Sequence, residues 1–590
     1  MRSRMNLKLS TSINRQQLYT ALVTLSLPIL VSSTAELKKA DSILDLQESK
    51  VESSMSFPAG GDNSGSAKLI NLNPNINIAY LLELKTAGAG KYFNLHNPQP
   101  EVQKLSLDPV FPRGVTILGP NRVDRCELWD ETGKSILIAH MQKEKPYQGL
   151  CDDKIFLVVP VAGRSTTKEI VADFLRRNVW QGEQLTTIVK STFFKDSFLQ
   201  ISEETQGASP SSPNAPIVRL GPEPGKINQR DANLLIKAKG LDLPIKGKED
   251  NNLPIGEWFG VVNHPGIFVS AIEPGRVADD ILKSHPERVS KLDDVERKAL
   301  VISVAYDLSQ YDVGFILGTE HPSLNWSPRA NGQVRPKGWL GPDGFAAGDP
   351  IVSTGMVPPN LTQIVVSTFT GGFKRYHSAF KYGPLSLVNR GSHYGFIENG
   401  IVHSRLNPGL ATLYIDIAGR IDMKTWTSED DGQVPVIRHA RQNGVPIVEW
   451  DETSKSGIPG AFVGNWGVGN WSGADNKTMR ALRAGICIQE SNNQRYLIYG
   501  YFTSVTPTAM ARVFQSYGCR YAMHLDMNAL EHTYLAVYSR GEEGSSSNYL
   551  IDGMKVLDET GLGAYVPRFV GMPDNRDFFY ILPKPKVKQE

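Results

Sequence analysis

Four residues within seven positions carry the most chemistry in this chain: Asp526, Asn528, Glu531 and His532. Two acids, an amide and an imidazole can bind a polar substrate and move a proton. Asp526 reads as a general base or nucleophile and Glu531 as its second carboxylate, since paired carboxylates serve glycosidic cleavage. His532 and, further back, His377 are candidate acid/base or metal-binding groups. Polar residues after a strand also make plain turns, and a lone histidine is often structural. Both readings stay open at this point.

The elements around the cluster are readable. Thr506 suits a helix N-cap, Pro507 the first helical position and Gly518 the stop. Helix, tight turn and short strand then deliver Asp526 to a strand end, where α/β architectures present chemistry. A second group runs from Phe369 through Thr370, Gly371, Gly372 and Phe373 to Lys374, Arg375 and His377, with Tyr394 beyond. Arg483 opens the strand-like Arg483–Ile486. Arg483, Lys374 and Arg375 are natural anion binders.

The order of these pieces resembles the phosphodiester glycosidase family. The resemblance covers roughly 355–545. It rests on the Gly-Gly-Phe segment at 371–373, the strand at Arg483, the helix after Thr506 and the Leu525-Asp526 strand end. It implies a sugar-phosphate or glycan-linkage hydrolase, with Asp526 and Arg483 at the positions that match. Thr370 stands where the family carries Asn, and Met527, Asn528 and Ala529 replace its glycines. Those glycines let a backbone approach a ligand or turn left-handed. A non-catalytic carbohydrate-binding or envelope-structural protein on the same scaffold is the alternative.

The chain has 590 residues, more than one core accommodates. Hydrophobic content of 40% and charged content of 21% are those of a globular protein. A net charge of +2 gives no electrostatic case for nucleic acid. The fold class expected is α+β: a small N-terminal α+β unit and a larger mixed-sheet domain like that of the phosphodiester glycosidases. Residues 1–35 read as a signal peptide, with a basic start, an apolar run from Leu18 to Val31 and small residues at Ser33-Thr34-Ala35. The run is too short for a comfortable span, and an uncleaved anchor is the other reading. No later run could span a membrane. An exported location, periplasmic or extracellular, follows.

Residues 36–75 read as a flexible lead, 76–205 as the small domain, 206–225 as a Pro/Ser-rich linker and 226–590 as the large domain. Strands are expected at Val115–Leu118, Ser135–Ala139 and Ile155–Val159, and helices from Thr166 to about Arg177 and from Glu183 to Phe194. A capping box at Asp293–Glu296 precedes a run that fits helix or strand. Leu413–Ile417 and Ile421–Trp426 form a hairpin, and His439–Gly444 a short helix. Trp326 and Arg329, with Glu320 and Asn325, suit sugar recognition, or a loop whose Trp plugs a core beside a structural Arg. The Gly/Trp-rich stretch 463–473 is either a substrate-lining loop or an irregular surface loop.

The four cysteines fit an exported protein. Cys126 and Cys151 are expected to pair, closing a loop of about 25 residues worth roughly 3 kcal/mol. Cys487 and Cys519 form either a second bridge or two buried thiols. No Cys-x-x-Cys or His-Glu-x-x-His spacing points to zinc. The expected partner is a glycan or sugar-phosphate, and the sequence names no cofactor.

Overall fold

Eight strands build the sheet that carries Asp526. Their order is Phe259–Val261, His264–Ile272, Val301–Asp307, Gln494–Val505, Ala481–Ser491, Cys519–Met527, Val448–Asp451 and Ser456–Pro459, each antiparallel to its neighbours. Ala481–Ser491 is buried at all but one position, as a strand covered on both faces must be. The α-helix Pro507–Ser516 covers one face. Gly485 and Gly500 sit opposite each other to admit it. A Cβ at Gly485 would lie 2.7 Å from Met510 Cε and 3.0 Å from Phe514 Cε2.

The helix starts at Thr506 and stops before Gly518, whose φ of +67° is the left-handed stop glycine provides. Thr506 does not cap through its own oxygen. Its N–H and hydroxyl both donate to Glu296, at 3.3 and 2.8 Å.

A five-stranded sheet packs on this layer in the order Tyr311–Ile316, Phe578–Pro583, Ser367–Thr370, Leu535–Gly541, Gly544–Tyr549. Phe369 joins the two. Its ring lies 5.3 Å from Phe579 in its own sheet and 5.3 Å from Tyr499 in the other. A second five-stranded sheet runs Ile401–Ser404, Tyr394–Glu398, Ile437–Asn443, Ala411–Asp416, Ile421–Thr425. The N-terminal part holds a six-stranded sheet, Val51–Pro58 to Tyr147–Leu150, and a meander over Lys104–Asp108, Phe111–Leu118 and Val123–Glu127. These share a core around Phe57, Phe93 and Trp129. The class is α+β, dominated by strands. Among the named strands described, only Ala40–Ser42 and Phe345–Ala347 pair in parallel.

The computed structural model describes residues 39–60, 64–86, 90–140, 145–166, 170, 197–201, 204–206, 221–248, 250–321, 324–377, 379–464, 479–541, 544–559 and 565–585. The expected signal peptide, both helices expected between 166 and 194, most of the 206–225 linker and most of the Gly/Trp-rich stretch lie outside them. Among the described residues no helix is long and apolar enough to cross a membrane.

Several expectations need correction. The segment read as a flexible lead contains the strands Val51–Pro58 and Ser64–Asn71. Met55, Phe57, Ala67 and Leu69 face the core, a period-two pattern that the serines obscure. Ala40–Glu590 forms one compact unit, and hydrogen bonds join its early and late parts. Asn94 donates to the Pro350 carbonyl at 2.7 Å, and Gln47 exchanges bonds with the Val402 backbone at 2.9 Å each.

The Ser135–Ala139 strand is instead a single bridge at Ser135 to Trp129, followed by a short helix, Leu137–His140. His439–Gly444 is not a helix. It belongs to the buried strand Ile437–Asn443, whose polar side chains find partners within the sheet, as Gln442 does in Thr412, and beyond it, as Arg441 does in Asp577. The ambiguous run after Glu296 is the strand Val301–Asp307, preceded by a single 3-10 turn that the capping box does start.

Both cysteine pairs are bridged. Cys126 and Cys151 have Cα atoms 5.6 Å apart, Cys487 and Cys519 5.9 Å. The second bridge ties the strand bearing Arg483 to the start of the strand bearing Asp526.

Candidate functional site

Asp526 lies one residue before the end of Cys519–Met527 and is almost wholly buried. Its Oδ1 accepts the Met527 N–H at 2.8 Å. Its Oδ2 accepts from Arg576 Nη1 in a buried ion pair. The other arm of the same guanidinium, Nη2, lies 2.7 Å from His532 Nε2. His532 Nδ1 is 2.5 Å from the Met527 carbonyl. That carbonyl can only accept, so Nδ1 carries the proton and Nε2 accepts from Arg576. His532 is thus a neutral imidazole, partly exposed above a buried arginine–aspartate pair.

Asn528 follows the strand with φ +80° and donates its N–H to the Leu482 carbonyl at 2.8 Å. Asparagine tolerates the left-handed region better than other residues bearing a Cβ. The turn that a glycine would make here is therefore kept. Arg483 faces Met527 across the ladder. Its guanidinium meets the Val505 carbonyl at 2.9 Å, His524 Nε2 at 3.0 Å and Met527 Sδ at 3.3 Å. Burial pushes Arg483 down to about 9. Burial first, then the Arg483 charge, hold His524 far below the usual histidine range. Its neutral ring stacks on Phe373 with centroids 5.1 Å apart.

Thr370 ends its strand with Oγ1 donating to the Glu531 carbonyl at 3.3 Å. Gly371 and Gly372 turn their N–H groups to Asp577, donating to its carbonyl at 2.8 Å and to Oδ2 at 3.3 Å. Both positions exclude a side chain. A Cβ at Gly371 would sit 2.4 Å from Asp577 Oδ2, and one at Gly372 2.6 Å from Arg441 Nη2. The glycines therefore make room for a buried salt bridge, and their amides are engaged within the protein.

That bridge belongs to a layer that sequence reasoning missed. Asp574-Asn575-Arg576-Asp577 runs beneath the Gly-Gly turn immediately before Phe578–Pro583. Arg441 Nε donates to Asp577 Oδ2 at 2.7 Å, and its Nη2 to the Phe373 carbonyl at 2.9 Å. Arg568 pairs with Asp574 at 2.7 and 3.1 Å and donates to the Glu531 carbonyl at 2.7 Å. Asn443 bonds the His524 and Leu525 carbonyls at 2.6 and 2.9 Å. Arg375, Arg441, Arg483, Arg568 and Arg576 are all at most 4% exposed. Two acids, an amide and an arginine directly ahead of an apolar run was the signal available in the sequence.

The remaining expected residues fall into separate groups. Lys374 Nζ pairs with Glu320 at 2.7 Å, and Glu320 lies 3.5 Å from Asn575 Nδ2, so this pair borders the Asp526 layer. Arg375 forms its own buried knot, pairing with Asp343, donating to the Tyr394 hydroxyl at 2.7 Å and lying over the Tyr394 ring at 5.0 Å. Trp326 donates to the Trp339 carbonyl at 3.0 Å, and Arg329 donates to the His377 carbonyl at 3.0 Å. These contacts hold loops together. The Glu531 carboxylate accepts from Thr166 at 3.4 Å. Among the described residues no group of three or more His, Cys, Asp and Glu is placed to hold a metal ion.

No family model matches the chain, and no curated protein does. Among solved structures it has a distant likeness to the zebrafish N-acetylglucosamine-1-phosphodiester alpha-N-acetylglucosaminidase catalytic domain auto-inhibited by pro-peptide. The identity is 10% and the TM-score 0.29, over 55% of this chain and 85% of that one. A hypothetical protein from Synechocystis is 9% identical at a TM-score of 0.21, over 86% of this chain and 97% of that one.

Proposed function

We propose that the Asp526 centre is the active site of an exported hydrolase that cleaves a sugar-phosphate or glycan linkage. The observation that carries this reading is the Arg576 fork, which joins Asp526 and His532 at a strand end beside the Lys374–Glu320 pair. An aspartate bound by a guanidinium and a backbone N–H stays ionised, as a base or nucleophile must. Arg576 and Lys374 provide positive charge for a phosphate that leaves the anomeric carbon as an anion. His532 is the more exposed end of the fork. The left-handed Asn528 keeps, just after Asp526, the turn that a glycine would make. Two disulfides suit an oxidising compartment outside the cytoplasm.

The test is turnover of sugar-1-phosphodiesters by the full chain, with and without divalent cations. Asp526→Asn is expected to lower kcat by several orders of magnitude, measured on protein whose circular dichroism matches wild type. Arg576→Lys keeps the charge but loses the fork, and is expected to lower kcat by about a hundredfold or more. Normal turnover by Asp526→Asn would refute the assignment. Binding of glycans without cleavage of any substrate would favour the non-catalytic alternative.

A further inference from the structure

A cavity of about 920 Å³ opens between the Tyr147–Leu150 edge of the N-terminal sheet and the Gly544–Tyr549 edge of the five-stranded sheet that contains Phe578–Pro583. It shares no lining residue with the Asp526 centre. Its size is near the top of the range for small-molecule sites, enough for more than one sugar ring.

Its walls are aromatic and rigid. Tyr538, Tyr549 and Tyr147 line it, with their hydroxyls fixed in the protein. Tyr538 meets Thr368 at 2.6 Å, Tyr549 donates to Asp558 at 2.9 Å, and Tyr147 meets Thr354 at 3.2 Å. Tyr565 stands on the rim, 54% exposed, with Lys555 over its ring at 5.3 Å. The edge strand Gly544–Tyr549 lays Ser545 and Ser547 opposite Arg540 and Tyr538. Arg540 in turn donates to the Thr362 and Val365 carbonyls at 2.5 and 2.6 Å, fixing the facing wall.

We infer that this cavity is an oligosaccharide-binding site. Pyranose rings present apolar C–H faces that rest on aromatic rings, and a belt of hydroxyls that pair with small polar groups and ammonium ions. Tyr565 supplies the exposed ring, and serine hydroxyls with the lysines Lys145 and Lys555 supply the polar partners. An extended peptide added to the edge strand is the competing occupant. The observations disfavour it, because the outward N–H of Tyr549 already donates to Asp242 at 3.0 Å, closing one end of that edge. The inference stands whether or not the Asp526 centre is hydrolytic.

The test uses the full chain on an array of defined neutral and acidic tetrasaccharides, followed by calorimetric titration with the tightest one retained. Wild type is expected to retain at least one. Tyr565→Ala combined with Lys555→Ala, both surface changes, is expected to weaken it about tenfold or more, while Asp526→Asn binds as wild type does. Turnover of a short sugar-1-phosphodiester, measured on the same variants, reports the catalytic reading separately. Retention of no tetrasaccharide would overturn the inference. So would equal binding by the double variant, loss of binding in Asp526→Asn, or capture of extended peptides in place of sugars.

Discussion

Two regions of this protein are equally buried by opposite chemistry. The paired strands Ala481–Ser491 and Gln494–Val505 hide mostly apolar groups, such as Ile486, Ile488, Leu497 and Phe502. The layer formed by Ile437–Asn443 and Asp574–Asp577 hides His439, Arg441, Gln442, Asn443, Asp574, Arg576 and Asp577. In the first, each side chain stabilises by leaving water, independently of its neighbours. In the second, each charge is tolerable only because its partner is in place. One region degrades gradually when altered; the other depends on complete sets.

The largest test of that contrast is Arg441→Met. It strands Asp577 in the interior and is expected to cost about 3–5 kcal/mol, read from urea unfolding. Adding Asp577→Leu should return much of that loss, since an apolar pair of similar volume often replaces a buried ion pair at little cost. Failure of the second change to rescue the first would show that the layer is not pairwise.

Buried titratable groups on and beside the strands Tyr394–Glu398 and Ile401–Ser404, in the same sheet as Ile437–Asn443, should carry the pH dependence. Burial holds His393 down at about 3, with Arg329 and Arg441 adding to the effect, and holds His403 at about 4. The unfolded chain protonates these rings at about 6.5. Their contribution is therefore fully present above that pH and is lost as pH falls toward 3. Glu398 acts in the opposite sense. Burial pushes it up to about 8, and its Oε2 accepts the Leu317 N–H at 2.7 Å. The unfolded carboxyl titrates near about 4.3, so this contribution is present below that pH and is lost as pH rises toward 8. Glu398→Gln should then raise Tm at pH 8 more than at pH 5, by the equivalent of up to a few kcal/mol. An equal rise at both values would contradict the assignment. The smallest effect belongs to the apolar sheet. Ile486→Val should cost about 1 kcal/mol, with no dependence on pH between 5 and 8.

The same contrast explains what the sequence revealed. The Thr506–Gly518 helix, the strand leading to Asp526, and the hairpin Ala411–Asp416 with Ile421–Thr425 follow from period, caps and turns. Those signals are local. His439–Gly444 misled because a polar string looks solvent-exposed, whereas its partners, such as Asp577 for Arg441, lie more than a hundred positions away. The glycines at 371 and 372 announced a close approach, and the structure supplies its cause in Asp577 and Arg441 rather than in a ligand. Arg576, the fork of the candidate site, has no local signature at all beyond its place in an unusually charged tetrapeptide.

Phe578–Pro583 lies between Tyr311–Ile316 and Ser367–Thr370, inside its sheet rather than at an edge. The tetrapeptide just ahead of it reaches back to Thr319, Gly371, Arg441 and Asp526. Everything it touches is made earlier in synthesis. A nascent chain that has reached residue 570 has its aspartate but not the arginine that holds it, and an open slot where a strand belongs. Assembly of the centre is thus timed to the last segment of the sheet. Until that segment arrives, the sheet lacks one of its inner strands and Asp526 lacks the guanidinium that pairs with it.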